Sequence, residues 1–310
     1  MTAGVTPSAL VTAHGRIHFP AYVPVTTFGP KYPLDALVRP YLVRLASAAM
    51  VSFHYARDIP EHPGLPLLVD SGGFRSVFAG ASVTERGGLG VLETTEEGAV
   101  VSLHPSDVLD LQERVADVAF TLDFPVPPSM DEAEGRRRQA LSISNARWAL
   151  ANRRRRDLPL YASLQGSNPE SYAAAARELS SLDFDGFAIG GLVPRASDSE
   201  LVRSIVDAVR AAVPGRPIHV FGIGKPDMVR ELFARGVQSV DSSSYVKLAA
   251  DGRLWSDPSF RLTDASPVER LHLALANLAT AAQSALPLSA AGLVFRTPSL
   301  STGRDSGNSR

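Results

Sequence analysis

The sequence predicts an α/β protein folded as a single-domain (β/α)8 TIM barrel. Short, fully apolar segments alternate with longer amphipathic stretches along the chain. Apolar strands separated by helices indicate a parallel sheet that is covered on both faces. Eight such segments occur in 310 residues, of which 45% are hydrophobic. That number of strands in a chain of this size favours a closed barrel over an open sheet.

Each predicted strand is a short apolar run, and several are rich in β-branched or aromatic residues. The eight runs span residues 21–25, 48–53, 65–70, 118–123, 159–165, 186–191, 218–223 and 238–242.

Most segments between the strands have the pattern of amphipathic helices. The predicted helices span residues 130–156, 168–182, 198–213, 225–236 and 266–286. Residues 76–105 are rich in glycine, so we expect an irregular insertion over the barrel mouth there. We assign residues 1–290 to the barrel domain and expect the polar tail, residues 291–310, to be disordered.

The composition excludes several kinds of chemistry. The chain has no cysteine, which rules out disulfides, thiolate zinc sites and cysteine nucleophiles. We therefore expect no metal and no cofactor. The formal net charge is −1, so a nucleic-acid partner has to be met by a local positive patch. The sequence shows neither a signal peptide nor an apolar run of about 20 residues, which predicts a soluble cytoplasmic protein.

Polar residues or glycines stand where several predicted strands end. Three strands end on Asp70, Asp123 and Asp241, a fourth ends on Gln165, and a fifth ends on glycines 190–191. The carboxyl ends of barrel strands converge on one mouth, so these groups are expected to share a pocket. Taken singly, each aspartate is more often only the N-cap of the next helix. Three together favour a site.

Carboxylates without a metal or a thiol are suited to glycosyl transfer. One aspartate attacks the anomeric carbon, a second handles the proton of the leaving group, and a third accepts hydrogen bonds from a base such as guanine. Binding of Mg²⁺ by Asp70, Asp123 and Asp241 is the alternative. The segment GIGKP, residues 222–226, is a weak candidate for a phosphate cradle.

Six motifs together resemble the tRNA-guanine transglycosylases, and the similarity covers roughly residues 8–285. In order along the chain they are DSGGF (70–74), LDFPVPP (122–128), LQG (164–166), DGFAIGGLVP (185–194), FGIGKP (221–226) and SVDSS (239–243).

The resemblance implies the roles of the three aspartates. Asp241 matches the nucleophile that attacks C1′ and holds the nucleic acid covalently. Asp70 matches the general acid/base, and Asp123 matches the carboxylate that recognises the donor edge of the base. Ser71 and the two glycines after it leave room for that base. Guanine would leave, a 7-deazaguanine such as 7-cyano-7-deazaguanine (preQ0) would replace it, and the target nucleotide has to be turned out of its stack.

The resemblance also implies contacts to the base. Gln165 and the backbone of Gly191 and Leu192 match contacts to its carbonyl and amide side. Phe74 and Phe221 match the pair that sandwiches the flat ring. Packing in the barrel core is the alternative for both phenylalanines.

Departures from the family pattern point to DNA as the polymer. The family's zinc site needs cysteines that this chain lacks, and we expect no counterpart of the archaeal-type RNA-binding domain. Arg75 stands where the family usually has Gln, and Ser52 where it usually has Asn. Those amides are suited to recognising a ribose 2′-OH, the group that separates RNA from DNA. The compact DNA-guanine transglycosylases are therefore the more similar subgroup.

Positive charge is needed to bind the nucleic-acid backbone. Lys247 and Arg253 follow the nucleophile strand and are the favoured candidates, together with Arg75. The arginine runs at residues 136–138 and 153–156 are more simply explained as a solvated helix surface.

Other functions stay open on the sequence alone. The same exchange on tRNA predicts binding to folded tRNA in preference to DNA, and action on a free nucleoside predicts turnover without a polymer. A non-catalytic subunit is a further alternative, which the presence of all three aspartates disfavours. A homodimer or an accessory protein is also considered as a partner.

Overall fold

The computed structural model describes residues 7–28, 32–59, 62–96 and 98–283. The strands in this part of the chain are β1 (Ala9–Thr12), β2 (Gly15–His18), β3 (Ala21–Pro24), β4 (Ala49–Val51), β5 (Leu67–Val69), β6 (Ala81–Arg86), β7 (Leu89–Glu96), β8 (Ala99–Leu103), β9 (Val118–Phe120), β10 (Leu160–Leu164), β11 (Gly186–Ile189), β12 (Ile218–Val220) and β13 (Ser239–Ser242).

Eight of these strands form the predicted parallel barrel. Their order around the sheet is β3-β13-β12-β11-β10-β9-β5-β4. A parallel bridge between Val25 and Met50 joins the two end strands, and the Thr26 N–H donates to the Met50 carbonyl at 2.8 Å. The ring is thereby closed, and the (β/α)8 barrel is confirmed.

Alternation along the strands divides the apolar residues between two cores. In β9, Val118 and Phe120 pack inside the barrel with Met50 and Tyr161, whereas Ala119 belongs to the larger core between strands and helices. Successive side chains of a strand point to opposite faces, so each strand supplies both layers. This explains why the barrel strands are apolar on both faces.

Helices follow most of the barrel strands. They are α1 (Pro33–Val38), α2 (Leu42–Leu45), α3 (Phe53–Ala56), α4 (Pro105–Val115), α5 (Glu132–Asn152), α6 (Pro169–Leu179), α7 (Ser199–Ala212), α8 (Pro226–Ala234), α9 (Ser244–Ala250) and α10 (Pro267–Gln283). The start of α5 shows how sequence sets a boundary: the Asp131 carboxylate accepts the backbone N–H groups of Ala133 and Glu134, which no helical carbonyl can bind.

Residues 76–105 do form an insertion after β5, but the expectation that it is irregular was wrong. Most of this segment is an antiparallel sheet in the order β6-β7-β8. Gly87 and Gly88 form its first turn with φ of 61° and 80°, the backbone of a tight two-residue hairpin. Gly90 lets β7 approach the barrel closely, because a Cβ there would lie 2.3 Å from the Phe124 ring. The glycines therefore mark a turn and a close contact.

A hairpin of β1 and β2, which the sequence analysis missed, closes the amino-terminal end of the barrel. Ile17 of this hairpin is buried among the interior residues, and Leu10 and Phe19 pack against the same cluster. Both strands are four residues long and carry little periodicity, which is why the pattern did not reveal them.

The predicted tail, residues 291–310, and the last residues of the helix predicted at 266–286 lie outside the described residues. The described part of the chain has no helix long and apolar enough to cross a membrane.

Candidate active site

The three aspartates lie at the carboxyl ends of their strands, as predicted. Asp70 directly follows β5, Asp123 follows β9 by three residues, and Asp241 is the third residue of β13. Asp123 and Asp241 are both 6% exposed. In a parallel barrel these strand ends meet at one mouth, so the fold brings the three carboxyl groups to the same end of the molecule.

Asp123 is held between two side chains that the sequence analysis also assigned to the base pocket. The Ser71 hydroxyl donates to Asp123 Oδ1 at 2.7 Å, and Gln165 Nε2 donates to Oδ2 at 2.5 Å. Burial raises the pKa of Asp123, while these two hydrogen bonds oppose the shift. A carboxylate has about four acceptor positions, so each oxygen retains one for a further donor. Asp123 is thus able to accept two adjacent N–H groups from a flat base.

Two glycines bring the backbone after β11 against this group. A Cβ on Gly190 would lie 2.2 Å from Gln165 Nε2 and 3.2 Å from Asp123 Oδ2. Gly191 has a φ of 71°, which favours glycine. Leu192 is fully buried in the core, so the contact of its backbone to a base stays a prediction.

A buried arginine and a tyrosine fix this loop. Arg195 Nη1 donates to the Gly191 carbonyl at 2.7 Å, and the Tyr172 hydroxyl donates to the Gly190 carbonyl at 2.7 Å. Arg195 is 3% exposed. Neither residue was singled out from the sequence. Together they pin the two carbonyls and so set the backbone on the base side.

Asp70 has the environment of a general acid/base. Its Oδ1 accepts the Phe53 N–H at 3.1 Å and the Gly72 N–H at 2.8 Å. Burial raises the pKa of Asp70 to about 6, the nearby Asp241 charge adds to the rise, and hydrogen bonds from these two amides and from Ser52 oppose it. A carboxyl group with this pKa exchanges protons readily near neutral pH.

One oxygen of Asp241 is engaged and the other is not. Oδ1 accepts from His219 Nε2 and from the Gly222 N–H, each at 3.1 Å. His219 Nδ1 lies 2.8 Å from the Ser239 hydroxyl. Among the described residues no group donates to Oδ2, so the lone pairs of that oxygen are not engaged.

His219 is the main site residue that the sequence analysis missed. It is 0% exposed and occupies the middle of β12, between Ile218 and Val220. A polar residue inside an apolar strand was the available signal. Its partner could not be predicted without the register, which sets His219 opposite Ser239, two residues before Asp241.

The two phenylalanines assigned to the base differ in setting. Phe74 is 43% exposed and packs edge to face on Phe78, with ring centroids 5.5 Å apart. Phe221 is partly buried and packs against Phe120 and His219, with centroids at 5.0 and 4.8 Å. Phe221 therefore belongs partly to the barrel core, as the alternative interpretation had it. Their stacking on a base stays a prediction.

Two alternative functions lose support from the geometry. Asp70, Asp123 and Asp241 do not bring three carboxylate oxygens within 4.8 Å of one another. Among the described residues, a different group of three side chains meets that distance. Joint binding of one Mg²⁺ by the three aspartates is therefore disfavoured. In the GIGKP segment the Gly222 N–H is directed to Asp241, so it is not available to a phosphate.

The arginine runs are mostly occupied by ion pairs. Arg153 contacts Asp185, Arg154 contacts Glu113, and Arg138 contacts Glu134. This agrees with the explanation as a helix surface. Lys247 and Arg253 are both exposed and follow Asp241 in the chain, so their assignment to backbone contact stays a prediction.

Arg75 is partly buried within the 3₁₀ turn Gly73–Val77, which directly follows the Asp70 loop. Its assignment to the nucleic-acid backbone likewise stays a prediction.

The fold and the site together define a class: a (β/α)8 barrel with three aspartates at the strand ends of its mouth, an arrangement suited to glycosyl transfer. A profile of the family described as queuine tRNA-ribosyltransferase (TGT) matches residues 7–283. The chain belongs to this family of transglycosylases. The resemblance to the superfamily is thereby confirmed, whereas the DNA subgroup stays a prediction.

Several bacterial proteins of the same description are similar to the chain. The queuine tRNA-ribosyltransferase of Moorella thermoacetica is 30% identical over 277 residues, which cover 81% of this chain and 71% of that protein. The protein from Stenotrophomonas maltophilia is 30% identical over 274 residues, or 80% and 70% of the two chains. The protein from Xanthomonas campestris is 29% identical over 274 residues, or 80% and 69%.

Proposed function

We propose that the protein exchanges guanine in a nucleic acid for a 7-deazaguanine through a covalent intermediate on Asp241. The observation that carries the proposal is that the three aspartates have three different environments. Asp241 has one pinned oxygen and one free oxygen, Asp70 has a pKa of about 6, and Asp123 is buried beside the two glycines.

The first half of the reaction removes guanine. Asp241 Oδ2 attacks C1′, a C1′–O bond forms, and the bond from C1′ to guanine N9 breaks. The protonated Asp70 donates its proton to the leaving base, so guanine departs neutral. The His219 and Gly222 donors stay on Oδ1 and hold the carboxylate in position while Oδ2 reacts.

The second half installs the new base. Asp70, now ionised, removes the proton from N9 of the 7-deazaguanine, and N9 attacks C1′ as the bond to Asp241 breaks. Both bases present the same N1–H and exocyclic amine, which Asp123 accepts in either half. A pKa near 6 leaves both forms of Asp70 accessible around neutral pH.

We favour DNA as the polymer because of Ser52. The Ser52 side chain acts on Asp70, whose pKa it lowers, so Ser52 lies beside the proposed catalytic group. An asparagine at this position would extend further and offer both a donor and an acceptor to a 2′-OH. The names of the relatives, which are tRNA-ribosyltransferases, favour tRNA, which is therefore the second candidate.

The test is incorporation of labelled preQ0 into matched polymers. Double-stranded DNA, single-stranded DNA, a tRNA transcript and free guanosine are offered in parallel. Asp241→Asn removes the nucleophile, and Asp251→Asn, an exposed aspartate just after α9, is the matched control. Label entering DNA, lost only in Asp241→Asn, is the expected result.

Other outcomes assign the other functions. Label in tRNA alone would replace the polymer and keep the mechanism. Turnover of free guanosine alone would replace the polymer by a nucleoside. Label that persists in Asp241→Asn, or no label in any substrate, would contradict the proposal.

A further inference from the structure

Two histidines and an aspartate converge at the end of the barrel opposite the active site. His14 lies in the turn between β1 and β2, His62 precedes β5, and Asp117 directly precedes β9. Asp70 and Asp123 follow the other ends of β5 and β9. The length of the strands therefore separates this cluster from the catalytic mouth.

The three side chains bring their ligand atoms close together. His14 Nδ1 lies 3.0 and 3.1 Å from the two Asp117 oxygens, and His62 Nε2 lies 3.1 Å from Oδ2. The imidazole rings stack with their centroids 3.4 Å apart and their planes at 16°, so one ring has to rotate for both nitrogens to bind one ion. All three ligand atoms lie within 4.8 Å of one another. Donor atoms around one tetrahedral ion have separations of roughly 3.3 Å when its bonds are about 2.0 Å long.

We propose that His14, His62 and Asp117 form a binding site for a divalent transition-metal ion of the zinc type. Two imidazole nitrogens and a carboxylate oxygen are the donors that such ions prefer over Mg²⁺ or Ca²⁺. The site reaches solvent, because the side chains of His14 and His62 are 42% and 20% exposed. Water is therefore able to supply the fourth ligand.

Backbone groups already orient the carboxylate. Asp117 Oδ2 accepts the Leu67 N–H at 2.9 Å, and Oδ1 accepts the His14 N–H at 3.3 Å. Such outer contacts hold a ligand in place for a metal. Coordination through His62 Nε2 moves the ring hydrogen to Nδ1, so the 3.3 Å contact from the Gly64 N–H is given up. Gly64 is in an exposed turn, where this adjustment costs little.

A bound ion would link the β1–β2 hairpin, which closes the barrel, to the starts of strands β5 and β9. His14 and Asp117 are 103 positions apart, and His62 and Asp117 are 55 apart. An ion that bridges them binds the folded chain and not the unfolded one, which stabilises the fold by mass action. Its role is structural, since the reacting groups lie at the other end.

The test is metal binding by the full chain after treatment with a chelator. Zn²⁺ is titrated in competition with a chromophoric chelator, with Mg²⁺ in parallel. The absence of cysteine removes thiolates as competing ligands. The variants are His14→Asn and His62→Asn. His18→Asn is the matched control, because His18 is an exposed histidine on the same hairpin.

One equivalent of Zn²⁺ is expected, together with a rise in melting temperature. Either cluster variant should lower the affinity at least about 100-fold, since loss of even an outer partner of a ligand costs about 10–100-fold. His18→Asn should bind normally. Co²⁺ added to the wild type should give the visible spectrum of a nitrogen–oxygen site, a readout that does not depend on how the variants fold. Binding that survives in both cluster variants, or no binding by the wild type, would overturn the proposal.

Discussion

Burial of Asp70 disfavours the charged form of its carboxyl group. Its pKa of about 6 in the folded protein lies above the ordinary 3.8, so the folded state binds its proton more tightly than the unfolded state does. Stability associated with this group therefore falls as the pH rises from about 4 to about 6, and the full cost is present above that range. The group is retained at a cost in stability, as expected of one that transfers protons.

Replacing Asp70 by asparagine should stabilise the protein at pH 8 and abolish base exchange. The asparagine oxygen accepts the same two amide hydrogens without a buried charge, so the variant avoids the cost of ionising Asp70. A pKa difference of about 2 units between the folded and unfolded states corresponds to roughly 3 kcal/mol in the free energy of unfolding. Urea unfolding of wild type and Asp70→Asn at pH 8, 6 and 4.5 measures the difference.

The gain in Asp70→Asn should shrink between pH 6 and 4 as the wild-type carboxyl takes up its proton. Asp251→Asn, which changes an exposed carboxylate, is the control measured in parallel. A stability difference independent of pH would contradict the assignment of the raised pKa to Asp70.

His219 should act as a positioning residue for Asp241. His219→Leu removes the donor to Oδ1, and His219→Gln retains one. We expect kcat to fall about 10–150-fold in the leucine variant, because a hydrogen bond to a charged group contributes about 1.5–3 kcal/mol, with partial recovery in the glutamine variant. Single-turnover kinetics and the yield of the covalent complex on a denaturing gel measure the effect.

The KM for the base should change less than kcat in the His219 variants, since His219 contacts the nucleophile and not Asp123, and reaches the base side only through the ring of Phe221. Ser239→Ala keeps the Nε2 contact and is the milder control. Equal losses in the leucine and glutamine variants would show that His219 only fills space.

Sequence reasoning correctly placed those residues whose position at the end of a strand is visible in the sequence, while their roles stay predictions. Asp70, Asp123 and Gln165 follow apolar runs, and the end of a run is visible without coordinates. His219 and Arg195 act through contacts that depend on register or on loop conformation. The expectation of no metal came from the lack of cysteine, yet two imidazoles and a carboxylate require none.

At the scale of elements, the loop after β11 has little free space. Gly190→Ala should raise the KM for the base at least about tenfold, because the new Cβ would displace Gln165 Nε2, 2.2 Å away, and disturb Asp123. Such overpacking typically costs about 1–3 kcal/mol. Initial rates over a range of preQ0 concentrations measure this change.

Gly135→Ala, inside α5, is the matched control for Gly190→Ala. Its Cβ would meet only Val126 Cγ1 at 3.0 Å, and alanine favours helix. An unchanged KM in Gly190→Ala would place the base elsewhere.

The elements that were predicted correctly are those with a strong period or a clear length. These are the eight barrel strands and the long helices. Their alternation along the chain then predicted a closed parallel barrel. The three-stranded sheet β6-β7-β8 was missed because it alternates weakly and because its glycines, most of them at turns and Gly90 inside β7, suggested irregular backbone. Edge strand β8 exposes two neighbouring valines, Val100 and Val101, so its apolar residues do not alternate with polar ones as strand prediction requires.

For the whole molecule, charge is the property that bears on a polymer. The net charge is −1, and among the described residues most of the clustered arginines are in ion pairs. Phosphates therefore have to be met by cations outside these runs, and we expect Lys247 and Arg253 to be among them. The double variant Lys247→Ala/Arg253→Ala should reduce the slope of log affinity against log salt by about 1 for each phosphate that is no longer neutralised. Fluorescence anisotropy of labelled DNA at several salt concentrations measures the slope.

Arg156→Ala is the control for the charge variants. Arg156 is exposed and lies between the end of α5 and the start of β10, which places it at the amino-terminal end of the barrel. Its removal should leave the slope unchanged. An identical slope in all three proteins would remove Lys247 and Arg253 from the nucleic-acid interface.

The pinning of Asp241 has a stereochemical consequence for the proposed reaction. A nucleophile fixed by His219 and Gly222 can approach the sugar from one side only, and a single base pocket faces it from the other. Guanine leaves from one face of C1′ and the new base adds to that same face. Each of the two displacements inverts C1′, so the two together restore the original anomer. The product should therefore carry its new base in the β configuration, and an α-nucleotide should never be released.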